Sequence, residues 1–126
     1  MKEGNIILEK SYKFSLRIVK LYLHLWEQKN EYNLSKQVLD SGTSIGANIE
    51  EGIGGSSRKD FKAKFDIAYK EARETNYWLR LLRDSQILET NLANSLIIDC
   101  EELLKIITAI LNTLKGSKSA SPITHS

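Results

Sequence analysis

The sequence predicts an all-α fold, an antiparallel up-down-up-down four-helix bundle, and three observations carry that expectation. Apolar residues recur at helical spacing in four successive segments divided by short polar breaks. The one proline, Pro122, falls outside those segments, and seven glycines supply little of the punctuation that many short strands need. Hydrophobic residues at 41% and charged residues at 27% suit one soluble core in a chain of 126 residues and exclude a wholly disordered or fibrous chain. The bundle is expected over residues 1–115, with a disordered tail at 116–126.

The first helix is expected over residues 6–28. Ile7, Phe14, Ile18, Leu21 and Leu25 form one apolar face, while Leu8, Tyr12, Val19, Tyr22 and Trp26 form a second, about 100° or more around the helix. One core cannot easily absorb both faces, so this helix is expected to pack in its own bundle and against another chain. The remaining strip, with Lys10, Lys13, Arg17, Lys20, His24, Glu27 and Gln28, suits water.

A second helix is expected over residues 33–52, with Asn33 as its N-cap. Leu34, Val38, Ile45 and Ile49 make its stripe, and Ser41, Gly42, Thr43, Ser44, Gly46 and Ala47 crowd its middle. Such small side chains let a neighbouring backbone come close. The competing idea, a phosphate-binding turn at 52–59, lacks both the P-loop spacing and the preceding strand.

A third helix is expected over residues 57–85, opened by a capping box of Ser57 and Asp60. Phe61, Phe65, Ala68, Ala72, Thr75, Leu79 and Leu82 alternate by four and three residues, the spacing of a bundle seam. Ile67, Trp78 and Leu81 fall away from that seam and again suggest self-association. The fourth helix, expected over 92–114, carries Leu92, Leu96, Cys100, Leu103, Ile107, Ile110 and Leu114, with Gly116 as its stop. Cys100 lies inside that stripe and reads as a small buried hydrophobe, not a nucleophile.

No enzymatic chemistry, cofactor or metal is expected. A di-iron bundle needs Glu-x-x-His pairs, and neither His24 nor His125 has a glutamate three residues before it. Glu50, Glu51, Glu71 and Glu74 read as ion-pairing groups beside the seam, and no nucleophile, base and orienting group can be aligned. One cysteine excludes an internal disulfide framework. Charges interrupt the apolar residues of MKEGNIILEK, which therefore lacks a secretory core, and no apolar run is long enough to span a membrane. A cytoplasmic location without membrane contact is expected.

Net charge is only +2, but its distribution is informative. Between residues 57 and 88 there are eight basic and five acidic side chains. Lys59, Lys62, Lys70, Arg73 and Arg80 share the face opposite the third helix's seam, with Tyr77 among them and Asp66 and Asp84 interrupting. Such a strip suits a phosphate backbone, and an oligomer repeating it gains multivalent attraction.

Two motifs add a resemblance: S-G-T-S-I-G-A-N-I-E-E-G at 41–52, and Asp60-Phe61 followed by K-E-A-R-E-T-N-Y-W-L-R-L-L at 70–82. Together they resemble the four-helix-bundle proteins associated with intervening sequences in bacterial 23S ribosomal RNA genes, over essentially the whole helical region. The resemblance implies a bacterial protein that assembles as a homopentameric ring. That family is related to the accessory variability determinant proteins of diversity-generating retroelements, which are pentameric, basic and partners of a reverse transcriptase and its RNA. Ser44, Asn48, Glu51 and Gly52, then Glu71, Glu74 and Trp78, match the family pattern and imply structural roles. Asn48 is expected to be partly buried, to bond a glutamate or a backbone carbonyl, and to fix helix register. Where the family often has a basic residue just after its Glu-Gly turn, this chain has Gly54, Gly55, Ser56 and Ser57 before Arg58.

The expected function is therefore a non-enzymatic homo-oligomer binding structured RNA or a ribonucleoprotein. Its expected contacts are Lys59, Lys62, Lys70, Arg73 and Arg80, with Lys13, Arg17 and Lys20 of the first helix. The alternative is a protein–protein scaffold or accessory subunit, for example of a reverse transcriptase, that does not touch nucleic acid.

Overall fold

A computed structural model describes the chain over residues 2–119. Those residues form four helices and no strand: α1 (Lys2–Lys29), α2 (Leu34–Ile53), α3 (Arg58–Asp84) and α4 (Thr90–Ser119). Contacts run in a cycle, α1 on α2, α2 on α3, α3 on α4 and α4 on α1, and the diagonal pairs do not meet. Each helix therefore buries one face at the centre and turns another outward.

The turns are closed by bonds between residues close together in the chain. Asn30 and Gln86 adopt positive φ just beyond α1 and α3, and the chain then bonds back, Glu31 N–H to the Leu25 carbonyl at 2.9 Å and Leu88 N–H to the Leu82 carbonyl at 3.0 Å. Ser57 caps α3 as expected, its hydroxyl accepting the Asp60 N–H at 3.0 Å. Asn33 does not cap α2, because its backbone is already helical and its side chain makes no cap bond. Glu31 does that work instead, accepting the N–H groups of Asn33, Leu34 and Ser35 at 3.2, 3.0 and 2.7 Å. Glu89 caps α4 in the same way through Asn91 and Leu92, which is why that helix starts at Thr90 rather than at the first apolar residue.

Gly116 does not stop α4, which continues to Ser119. A glycine terminator works by taking positive φ, and no described glycine has it. The remainder of the tail expected to be disordered, residues 120–126, lies outside the described residues.

The core forms from the expected faces. Ile7, Phe14, Ile18, Leu21 and Leu25 are buried against Val38, Ile45 and Ile49, the α3 row from Phe65 to Leu82, and Leu96, Cys100, Leu103, Ile107 and Ile110. The α2 small residues make close packing possible. A Cβ added at Gly42 would lie 2.8 Å from Ile18 Cγ1, and one at Gly46 would lie 3.1 Å from Ser15 Oγ. One added at Gly52 would meet Lys64 Cβ and the Phe65 ring at 3.1 Å, so the last turn of α2 sits directly on α3.

Two polar contacts cross the core. The Thr75 hydroxyl pairs with Ser41 Oγ at 2.9 Å and also bonds the Glu71 carbonyl at 2.7 Å. The Cys100 thiol donates to the Ala72 carbonyl at 3.2 Å, and burial pushes it up to about 12, so it stays a neutral packing group. No helix among the described residues is long and apolar enough to cross a membrane.

Candidate nucleic-acid interface

The outward face of α3 carries the candidate site. At about 100° per residue, Lys59, Lys62, Tyr69, Lys70, Arg73, Tyr77 and Arg80 fall on one strip. Two arginines on it are held by tyrosines. Arg73 lies 5.9 Å above the Tyr69 ring and donates to its hydroxyl at 3.3 Å. Arg80 lies 5.9 Å from the Tyr77 ring and donates to Asn76 Oδ1 at 2.8 Å. Neither guanidinium forms an ion pair among the described residues, so the tyrosines orient both without cancelling their charge. Lys59 and Lys70 are exposed and also form none, whereas Lys62 is held by Asp66 at 2.7 Å.

The α1 candidates separate. Arg17 is clamped to Asp99 of α4 at 2.7 Å and Lys10 to Glu102 at 3.1 Å, so both tie α1 to α4. Lys13 is 3.9 Å from Glu9, and Lys20 has no carboxylate within ion-pair reach among the described residues. Beside the α3 strip, an open groove of about 810 Å³ runs between α3 and α4. Tyr69 and Arg73 line one side of it, and Glu101, Glu102, Lys105 and Ile98 the other.

The motif residues hold helix ends and neighbours. Glu51 bonds Lys64 at 2.9 Å across the α2–α3 turn, beside Gly52. Glu74 accepts the Trp78 indole N–H at 3.1 Å. Asn48 donates to the Ser44 carbonyl at 2.8 Å, a bond within its own helix, so the register role expected of Asn48 is not served by that contact. Glu71 is the motif carboxylate with a perturbed acidity: partial burial, then the charges of Glu74 and Asp40, raise it above its usual value. A raised carboxyl favours folding fully below the unfolded value, near 4.5, and loses that contribution as pH rises through the folded value. Glu71→Gln should therefore raise the melting temperature at neutral pH. The gain should vanish below about pH 4.5, which thermal unfolding across pH would check.

Sequence periodicity missed two residues of the outer α1 face. Leu16 is 49% exposed and Leu23 47%, and they complete a row of Tyr12, Leu16, Val19, Leu23 and Trp26 at alternating spacings of four and three. Leu8 and Tyr22, expected in that stripe, are partly buried, Leu8 against the core. The signal was present in the heptad spacing, but Leu16 and Leu23 fell in neither of the two stripes expected on that helix. Among the described residues, no three His, Cys, Asp or Glu side chains are arranged to hold a metal ion. His24, Glu51 and Glu71 lie on three different helices, and no described cavity is lined by any of them.

Fold and surface together define an all-α four-helix protein with an arginine–tyrosine face on one helix and an uncovered apolar row on another. The chain belongs to the 23S rRNA-intervening sequence protein family, whose model matches residues 3–109. It is similar to a crystal structure of a protein of unknown function from the S23 ribosomal protein family of Bacteroides thetaiotaomicron VPI-5482. That likeness has 43% identity and a TM-score of 0.85, covering 87% of this chain and 98% of that one. No curated protein matches the chain.

Proposed function

We propose that this protein is a non-enzymatic, cytoplasmic homo-oligomer that binds structured RNA, or an RNA–protein complex, through copies of the α3 strip repeated around a ring. The observation that carries the reading is the pair of tyrosine-held arginines, Arg73 and Arg80, with Lys59 and Lys70 beside them. Guanidinium planes backed by aromatic rings suit both phosphate oxygens and unstacked bases. Cross-helix bonds support an antiparallel up-down-up-down course: Arg58 at the start of α3 reaches the Leu114 carbonyl late in α4, and Lys10 and Arg17 meet Glu102 and Asp99 in reverse order. The uncovered α1 row supports self-association, and the family resemblance supports a ring of five.

The test is a titration against structured RNA and an unrelated duplex DNA at low and near-physiological salt, with molar mass measured on the same sample. Wild type should bind as a ring-sized species, more weakly as salt rises. Lys70→Glu with Arg73→Glu should weaken RNA binding by about tenfold or more with the mass unchanged. The slope of log affinity against log salt should fall by about two. Unchanged binding by that variant sinks the assignment. An assembled wild type that binds neither nucleic acid at low salt moves the function to a protein partner.

A further inference from the structure

The groove of about 810 Å³ between α3 and α4 is lined by charges of both signs that leave one another unpaired. Ile98, Glu101, Lys105 and Thr108 line its α4 side at spacings of three, four and three, so they share one helix face. Glu101 stands one turn before Lys105, the order in which such side chains pair best. Two other pairs four residues apart do close in this chain, Lys36 with Asp40 at 3.0 Å and Lys62 with Asp66 at 2.7 Å. Glu101 and Lys105 form no ion pair among the described residues, either with each other or with Arg73 across the groove. Glu102, the other carboxylate of the groove, is taken by Lys10 at 3.1 Å. Ile98 beside them is 64% exposed, the largest fraction of any large apolar side chain among the described residues.

We infer that this groove seats an unpaired guanine of the bound RNA and that Glu101 and Lys105 read its edge. The inference rests on the RNA binding of the proposed function and names the base that the site takes. An ionised carboxylate accepts hydrogen bonds and cannot donate them, whereas an ammonium donates and cannot accept. Guanine alone among the four bases carries two donors side by side, N1–H and N2–H, next to an acceptor, O6, on its Watson–Crick edge. Glu101 accepts from the two donors with its two oxygens, and Lys105 donates to O6. Residues four apart on a helix have Cβ atoms about 5–6 Å apart, a separation that lets both side chains reach one base edge. Adenine and cytosine set a ring acceptor beside their amino group, where the carboxylate would meet a lone pair. Uracil offers one N–H between two carbonyls.

That edge is free only where the base is unpaired, so loops, bulges and ends are the parts of an RNA that fit. The rest of the groove suits a flat ring. Arg73, fixed on Tyr69 by its bond to the hydroxyl at 3.3 Å, supplies a guanidinium plane for stacking. Ile98 covers apolar ring surface, which gives its exposure a use. Lys70, one turn before Arg73's side of the groove, is placed for the adjoining phosphate.

The deciding experiment titrates the full chain with RNA hairpins that share one stem and differ in the loop: all uridine, or uridine with one guanosine, adenosine, cytidine or inosine. One guanosine should tighten binding about tenfold over the uridine loop, and adenosine and cytidine should not. Inosine, which lacks the N2 amino group, should lose most of that gain. Glu101→Ala should bring the guanosine-to-uridine ratio close to one. Its side chain is exposed, so helicity should show the variant folded. The ratio is the readout because losing one negative charge shifts the affinity for every loop alike. Free guanosine monophosphate should compete about a hundredfold more weakly than the guanosine hairpin, since it brings a single phosphate to the strip. Equal competition by the free nucleotide overturns RNA as the occupant. Equal binding of all loops by wild type, or a guanosine preference that survives Glu101→Ala, overturns the guanine seat and leaves RNA binding standing. A wild type that binds no hairpin at low salt overturns this seat and the proposed function together.

Discussion

Phe65→Ala is expected to lower the unfolding free energy by about 3–5 kcal/mol, the usual cost of emptying an aromatic site in a core. Phe65 is fully buried and stacks on Phe61 with ring centroids 4.3 Å apart and planes 9° apart. Its ring also lies against the last turn of α2, where Gly52 leaves room for it. The cavity would open where α2 turns into α3, and the short connection over 54–57 that joins the two helices there resists collapse. Since small domains keep only about 5–15 kcal/mol in total, this one change should remove a large share of the stability. Denaturant unfolding at fixed chain concentration would measure it, because the midpoint of any self-associating chain depends on concentration. A loss under about 1 kcal/mol would mean that Phe65 is not packed as described.

The second large effect is a coupling between Gly42 and Ile18. A methyl at Gly42 would lie 2.8 and 2.9 Å from the two γ carbons of Ile18, a buried β-branched side chain with little freedom to turn away. Gly42→Ala should therefore destabilise by about 1–3 kcal/mol through overpacking, less up to about 1 kcal/mol recovered in helix propensity. Ile18→Ala alone should cost about 2–5 kcal/mol by leaving a cavity. The double variant should cost less than the two losses added, because the new methyl occupies space that Ile18 vacates. A double-mutant cycle reads this directly, and strict additivity would show that α1 and α2 do not approach each other at this point.

Much of the fold was legible because its signals are local. The rows Ile7 to Leu25 and Phe65 to Leu82 are set by spacing along one helix, and both are buried as expected. Ser57 could be identified as a cap because its bond reaches only three residues along the chain. The Asn33 expectation failed for a related reason: Glu31, two residues earlier, has the longer reach and takes three N–H groups at once. The candidate interface was less legible. Periodicity placed Lys62 and Arg17 on basic strips, but Asp66 and Asp99 neutralise them, and Asp99 is 82 residues away from Arg17 in the chain. That Arg73 and Arg80 are held on tyrosine rings depends on side-chain rotamers, which spacing alone does not encode.

From its sequence by itself, this protein was determined to be four helices in a known order, with identifiable core faces, a buried cysteine and more apolar surface on its first and third helices than one core absorbs. Those properties follow from period, composition and short-range capping, each set within a few residues. Tertiary structure decided which surplus residues face outward, bringing Leu16 and Leu23 into the α1 row and turning Leu8 toward the core. It also decided which cations remain unpaired and why Gly42 and Gly46 have no side chain. The physical reason is that helix rotation and approach are set by packing between distant segments, where a shift of a few tenths of an ångström separates contact from clash.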